Sequence, residues 1–238
     1  MKKAIVIGAS SGIGRGLAQK LAAKGFRVGI TGRRLNLLQE LQAENPTSYV
    51  IKSFDIKDAH SIPLQLSELV KELGGLDLLI INSGAGHRNE ALHFEIEEPA
   101  ILTNILGFTA VADWAYGYFK QENRGHLAIV SSIAGLRGNR FAPAYSASKA
   151  YQINYMEGLR QKAKHAQLRV TFTDIRPGFV DTAMAQGDRT FWVASVDKAT
   201  RQIMRGLDHK MEIIYVTKRW RLIACLIPFI PRWFYERM

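Results

Sequence analysis

The amino-acid sequence predicts a doubly wound α/β fold, a parallel sheet of about seven strands with helices on both faces. Three observations predict it. Short β-branched runs alternate with longer stretches of helical periodicity along the whole chain. Several of those runs are continuously apolar, as strands covered on both faces are. A glycine-rich turn, Gly8-Ala9-Ser10-Ser11-Gly12-Ile13-Gly14, directly follows the first run and opens a helical pattern.

Strands are expected at Ala4–Ile7, Arg27–Thr31, Ser48–Ser53, Leu76–Ile81, His126–Val130, Val170–Ile175 and Glu212–Val216. Between them, helical spacing marks Gly14–Ala23, Asn36–Ala43, Ile62–Glu72, Ala100–Glu122 and Ala144–His165. In the last of these, Tyr151, Tyr155 and Leu159 recur every four residues, as a packed helical face requires. Such alternation implies parallel strands joined by right-handed helical crossovers. No repeat, low-complexity tract or linker divides the sequence, so its 238 residues are expected to form one domain spanning 1–238.

The formal charge is +11, from 32 Lys and Arg against 21 Asp and Glu. That balance admits a phosphate-bearing ligand, an anionic membrane or nucleic acid as a partner, and a solvated basic surface gives the same sum. Nucleic acid is not expected, because no recognition motif is present and the basic residues are scattered except near the C-terminus. The single cysteine, Cys225, cannot close an intramolecular disulfide, so nothing calls for an oxidising compartment. After Met1-Lys2-Lys3 the apolar stretch Ala4–Ile7 stops at Gly8, short of the ~7–15 residues of a signal core. The longest apolar run, Leu222 to Ile230, is interrupted by Pro228 and falls far below the ~20 residues of a spanning helix. A soluble, cytoplasmic protein is expected, without a metal site.

In the first turn each glycine has a physical reason. Gly8 permits the sharp bend, Gly12 lets the backbone approach a pyrophosphate, and Gly14 lets helix and sheet pack closely. The helix start supplies free N–H groups and a positive dipole end to the anion. At the end of the second strand, an NAD site carries a carboxylate about 20 residues beyond the glycines. Here the chain reads Thr31-Gly32-Arg33-Arg34. A carboxylate would repel a 2′-phosphate, whereas a guanidinium forms a charge-assisted fork with it, so NADP(H) is favoured.

The stretch Tyr145-Ser146-Ala147-Ser148-Lys149 places a phenol and an ammonium on one helical face. A free phenol has a pKa of about 10 and is a poor catalyst at neutral pH, and a neighbouring ammonium brings it down. Thirteen residues upstream of Tyr145, Ser132 closes the apolar strand His126–Val130, at the carboxyl end where open α/β sheets bind ligands. Ser131 competes for the same role.

The Gly-x-x-x-Gly-x-Gly turn, the Tyr-x-x-x-Lys pair with its upstream serine, Asn82-Ser83-Gly84-Ala85 and Pro177-Gly178-Phe179-Val180-Asp181-Thr182 run in one order from residue 7 to 182. In this the chain resembles the short-chain dehydrogenase/reductase family. The resemblance implies a Rossmann-type domain that transfers hydride between NADP(H) and an alcohol or ketone carbon, and that forms homo-oligomers. It implies catalysis by Asn104, Ser132, Tyr145 and Lys149. Tyr145 would move the proton and Ser132 would position the substrate oxygen. Lys149 would bind the nicotinamide ribose, and Asn104 would hold a water that links Lys149 to solvent. It further implies cofactor contacts by Gly8, Ser10, Ser11, Gly12, Ile13 and Gly14, by Arg33 and Arg34, and by Asp55 and Ile56 at the adenine. Asn82 and Gly84 would line the same cleft, with Pro177, Gly178, Val180 and Thr182 at the carboxamide. The chain departs from the pattern at Ser83 and Gly84, usually Asn and Ala, and at Ile7, often threonine.

Residues 183–196 correspond to the family's variable lid and contain Met184, Gln186, Asp188, Arg189, Phe191 and Trp192, with Arg137 and Phe141 expected beside them. The small-molecule carbonyl or alcohol substrate is therefore expected to be partly apolar. The tail, 218–238, sets Lys218-Arg219-Trp220-Arg221 before its apolar run and Pro231-Arg232-Trp233-Phe234-Tyr235-Glu236-Arg237 after it. Two readings stand: a tail packed on the domain, or an interfacial segment making peripheral membrane contact, which would favour a lipid-derived ketone. A different class of function also stands, an NADP-binding regulator or redox sensor with little turnover, against which the complete catalytic set argues.

Overall fold

Strands that are apolar on both faces must be covered on both faces, and the computed structural model, which describes residues 1–185 and 191–237, does so with two helical layers. The described residues form a seven-stranded parallel sheet in the order β3-β2-β1-β4-β5-β6-β7. Its strands are β1 (Lys3–Ile7), β2 (Arg27–Gly32), β3 (Tyr49–Ser53), β4 (Leu78–Ile81), β5 (Gly125–Val130), β6 (Val170–Pro177) and β7 (Ile213–Val216). Each expected strand is present, its ends moved by at most two residues.

The helices are α1 (Gly12–Ala23), α2 (Leu35–Glu44), α3 (Ile62–Leu73), α4 (Phe94–Ile101), α5 (Phe108–Glu122), α6 (Pro143–His165), α7 (Val196–Asp208), α8 (Lys218–Leu226) and the short α9 (Arg232–Tyr235). Alternate side chains of β1 serve opposite layers, as the pleat dictates. Val6 packs with Leu17 and Leu21 of α1, Leu38 of α2 and Ile203 of α7. Ile5 and Ile7 pack with Leu66 and Leu69 of α3, Phe108 and Phe119 of α5 and Met156 of α6. On α6 the four-residue repeat lies where its period predicts: the rings of Tyr151 and Tyr155 stack at 5.5 Å, and Phe108 meets both edge-on.

Two expectations need correction. The single helix expected over Ala100–Glu122 begins earlier, as α4 at Phe94, and is broken by a π-helical turn, Leu102–Gly107, before α5. One extra residue in a turn swings the side chains round without ending the apolar stripe, so periodicity does not reveal it. The π turn also brings Gly107 against Ile56, where a side chain at 107 would lie 2.8 Å from Ile56 Cγ1. Secondly, α1 starts at Gly12, so Gly12 and Ile13 belong to its first turn rather than to the loop before it.

The tail lies on the domain. Trp220 and Ala224 of α8 are buried, and Arg137 Nη1 donates to the carbonyls of Ile227 at 3.3 Å and Ile230 at 3.1 Å. Among the described residues no helix is long and apolar enough to cross a membrane. Phe119 has no solvent exposure and closes the lower part of the α5 layer against β5. Truncating it in Phe119→Ala is expected to lower stability by about 3–5 kcal/mol, read as a lower urea midpoint at unchanged m-value.

Candidate active site

The carboxyl ends of β1, β4, β5 and β6 carry the motifs, and sheet order reverses between β1 and β4, where open α/β sheets leave a ligand crevice. Gly8 follows β1 with φ of +86°, and a side chain there would lie 2.7 Å from Ser83 Oγ. Asn82 Nδ2 donates to the Gly8 carbonyl at 2.8 Å, while a side chain at Gly14 would overlap that same oxygen. Three elements therefore close on one carbonyl. The departure at Ser83 is harmless to this closure, because its backbone N–H supplies the bond, to Ile7 O at 2.9 Å.

Above the turn, α1 begins without a side-chain cap and without an acidic residue in its first turn. Its first N–H groups and dipole thus meet an open cradle of Gly8, Ser10, Ser11, Gly12 and Ile13, which fits a pyrophosphate. Arg34 Nη2 donates to Ser10 Oγ and to Ser11 Oγ, both at 2.8 Å, so one guanidinium already borders the cradle. Arg33 turns the other way, its Nη1 lying 3.8 Å from the Asp55 carboxylate. Lys57, which the sequence reading missed, reaches the same carboxylate at 3.7 Å. The negative charge of Asp55 is therefore offset by two cations. Lys57 was recognisable only as a further basic residue two positions after Asp55.

The two serines at the end of β5 separate cleanly. Ser131 is held by the carboxylate of Asp174 and by Ile175 O at 3.2 Å, and Asp174 also pairs with Arg176 Nε at 2.6 Å. Ser132 Oγ accepts from the N–H of Ala134 at 3.1 Å and donates to Pro177 O at 3.5 Å, with the Tyr145 phenol beside it. Gly86 lies under the Tyr145 ring so closely that a side chain there would come within 2.8 Å of Cγ. Neither Gly86 nor this contact is visible in the local sequence.

Lys149 is 3% exposed and points its ammonium at Val130 O and at Gln152 Oε1, each 2.9 Å away. Burial pushes its pKa down to about 8, with the Asp174 carboxylate acting in the opposite direction. Burial also raises the Tyr145 phenol above its ordinary value, and the Ser132 hydrogen bond opposes that rise. This corrects the expectation that Lys149 brings the phenol down. The ammonium spends its hydrogen bonds on Val130 and Gln152 and stands 5.8 Å from the centre of the Tyr145 ring. At neutral pH the phenol carries its proton.

Asn104 sits within the π turn with no exposure. Its side chain exchanges hydrogen bonds with Ala85, accepting at 2.8 Å and donating at 2.7 Å, and donates to Ser148 Oγ at 2.9 Å. Its own carbonyl accepts from Gln152 Nε2 at 2.9 Å. Gln152 thus bridges Asn104 to Lys149. The signal for it was a glutamine three residues after Lys149, on the same face of a helix.

Beyond β6, the Gly178 N–H donates to Val216 O at 2.7 Å, and the Trp220 indole covers Gly178, its buried Nε1 without a partner among the described residues. Thr182 Oγ1 donates to Val180 O at 3.2 Å, and its Cγ2 would lie 3.0 Å from a side chain at Gly12. The two glycine-containing motifs therefore face each other across the crevice. Phe191 packs on Phe179 at 5.8 Å and on Trp220 at 5.1 Å. Gln186, Asp188 and Arg189 lie outside the described residues. Arg137, expected to line the pocket, is instead engaged with the tail carbonyls and lies 4.3 Å over the Tyr235 ring.

Comparison with known proteins agrees with this arrangement. A family model described as short chain dehydrogenase matches residues 2–191. An uncharacterized oxidoreductase of Myxococcus xanthus is 40% identical over 188 residues, 77% of this chain and 74% of that protein. A human 3-oxoacyl-[acyl-carrier-protein] reductase is 29% identical over 187 residues, 78% of each chain. A short-chain dehydrogenase/reductase of Burkholderia phymatum, solved in complex with NAD, superposes with a TM-score of 0.84 at 18% identity, over 94% of this chain and 92% of its own.

Replacing Gln152 by leucine strips a buried acceptor from Lys149 and a donor from the Asn104 carbonyl. Gln152→Leu is expected to cost about 1–3 kcal/mol of stability in chemical denaturation, and an unchanged midpoint would mean that the bridge holds nothing together.

Proposed function

Because the chain belongs to the short-chain dehydrogenase/reductase family, we propose that it is an NADP(H)-dependent carbonyl reductase with Tyr145 as its general acid. The observation that carries this reading is the cluster itself: the half-buried Tyr145 phenol beside Ser132 and one helical turn from Lys149, whose ammonium stands 5.8 Å from its ring. The cofactor, when bound, supplies hydride to the carbonyl carbon. Tyr145 gives its proton to the oxygen as negative charge develops there. The Ser132 hydroxyl donates to the same oxygen and steadies that charge. Lys149 holds a positive charge beneath the phenol and offers its remaining N–H to the nicotinamide ribose. Gln152 and the Val130 carbonyl keep the ammonium in place, and Asn104 anchors Gln152.

The preference for NADP(H) rests on Gly32 in place of a carboxylate and on Arg34 at the cradle. With NADP(H) as cofactor, we propose reduction of a ketone or aldehyde ahead of alcohol oxidation, because the cellular pool of this cofactor is kept reduced. The aromatic cluster of Phe179, Phe191 and Trp220 beside the motif suits a partly apolar substrate. With the human relative a 3-oxoacyl-[acyl-carrier-protein] reductase, 3-oxoacyl thioesters lead the substrate panel. The second reading, a regulator or redox sensor, keeps the cofactor site and predicts no turnover.

NADPH oxidation followed at 340 nm against ketones, aldehydes and 3-oxoacyl thioesters is the deciding experiment. Tyr145→Phe is expected to reduce turnover by about 10²–10⁴-fold while NADPH still binds. Binding without turnover across the panel would select the sensor, and failure to bind either nicotinamide cofactor would sink both readings. Arg34→Glu is expected to weaken NADPH binding by roughly 10–100-fold, the loss of a charge-assisted hydrogen bond, and to leave NADH nearly unaffected. In wild type the reduction rate should stay level at neutral pH and fall as pH rises through about 8, where Lys149 loses its proton.

A further inference from the structure

We propose that the outer face of α8 and the turn that follows form a docking surface for an anionic lipid bilayer. The helix has two unlike faces. Inward, Trp220 and Ala224 are buried, and the Trp220 ring meets Phe179, Phe191 and Trp192 at 5.6, 5.1 and 5.9 Å. Outward, Leu222 and Leu226 stand one turn apart at 69% and 66% exposure, and Phe229, three residues further, reaches 83%. Arg219 and Arg221 flank the leucines, and Lys218 lies one turn before them on the same side. From Ile213 to Tyr235 the sequence has no Asp or Glu. An apolar tip inside a basic collar is the arrangement that lies flat in a headgroup layer.

The exposure is built in rather than frayed. Arg137 ties down the carbonyls of Ile227 and Ile230, and the Tyr235 hydroxyl donates to Gly138 O at 2.7 Å. The segment is thereby fixed on the domain while its outer side stays apolar. Charge selects the occupant. Pairing α8 with its counterpart on a second copy would set Arg219 and Arg221 against like charges, whereas anionic headgroups complement them, and the +11 total adds long-range attraction. Because Trp220 connects α8 to Gly178 and to Phe191, docking would bring the pocket mouth to the interface. That consequence, access for apolar carbonyl compounds dissolved in the bilayer, rests on the reductase reading. The docking itself does not.

The test is sedimentation with vesicles of phosphatidylcholine, alone or mixed with phosphatidylglycerol, using the full chain. Wild type is expected to sediment with the mixed vesicles and not with phosphatidylcholine alone. Each of Arg219→Gln and Arg221→Gln should weaken that binding by about 5-fold, and Leu222→Ser with Leu226→Ser and Phe229→Ser by more than about 10-fold. Far-ultraviolet circular dichroism and the urea midpoint serve as the folding control for every variant. Absence of wild type from both pellets, equal binding to both vesicle types, or undiminished binding by the serine variant would each overturn the proposal. A dimer in sedimentation velocity that the serine variant dissolves would assign the face to a second copy instead. No arm requires turnover, so the outcome stands apart from that of the activity assay.

Discussion

The carbonyl oxygen of Gly8 is the point on which the cofactor end of the molecule closes. β1 delivers it, the Asn82 amide at the end of β4 donates to it at 2.8 Å, and Gly14 of α1 packs against it with no room for a side chain. Close approach of helix to sheet at this spot aims the start of α1 into the crevice, where its unpaired N–H groups meet an anion. The requirement is steric before it is chemical. A side chain at Gly14 would force α1 away from β1 and carry Ser10, Ser11 and Ile13 with it.

A second constraint operates at the ends of β5 and β6, where ionisable groups are buried. Asp174, 1% exposed, is matched by Arg176 and Ser131, which takes Ser131 out of contention and leaves Ser132 to face Tyr145. Lys149 has only neutral acceptors, Val130 O and Gln152 Oε1, and burial depresses its pKa to about 8. For a lysine shifted downward, the unfolded chain binds more protons above that pH. The penalty on folding is therefore complete below about 8 and is relieved as pH rises towards the ordinary lysine value of 10.5. Gln152, anchored on the Asn104 carbonyl, limits that penalty by accepting one of the ammonium's hydrogen bonds beside Val130 O. Stability is given up here to keep a cation beside a phenol.

The C-terminal segment shows how one helix can serve two environments. Its inner face continues the aromatic cluster over Gly178, and its outer face presents leucines among arginines. The two readings drawn from the sequence, packed tail or interfacial tail, are thus not alternatives in geometry. Packing on one side orients whatever the other side meets.

What the sequence determined by itself is whatever depends on local order. Alternating apolar runs and helical stretches foretold a parallel sheet, since only strands covered on both faces read that way. The glycine turn, Tyr145 with Lys149, and the stretch from Pro177 to Thr182 were legible because each is a short run on a turn or one helical face. Tertiary structure decided what depends on elements distant in sequence. The π turn carrying Asn104 leaves the apolar stripe intact, so its pattern hides it. Ser131 and Ser132 are adjacent and chemically alike; the family resemblance chose Ser132, and the position of Asp174 on the neighbouring strand supplies the physical reason. Gln152 and Gly86 acquire meaning through Asn104 and the Tyr145 ring, which lie tens of residues away. The sign of the Tyr145 shift followed the same rule: spacing put an ammonium nearby, but burial and the ammonium's other partners, both products of packing, determined the pKa.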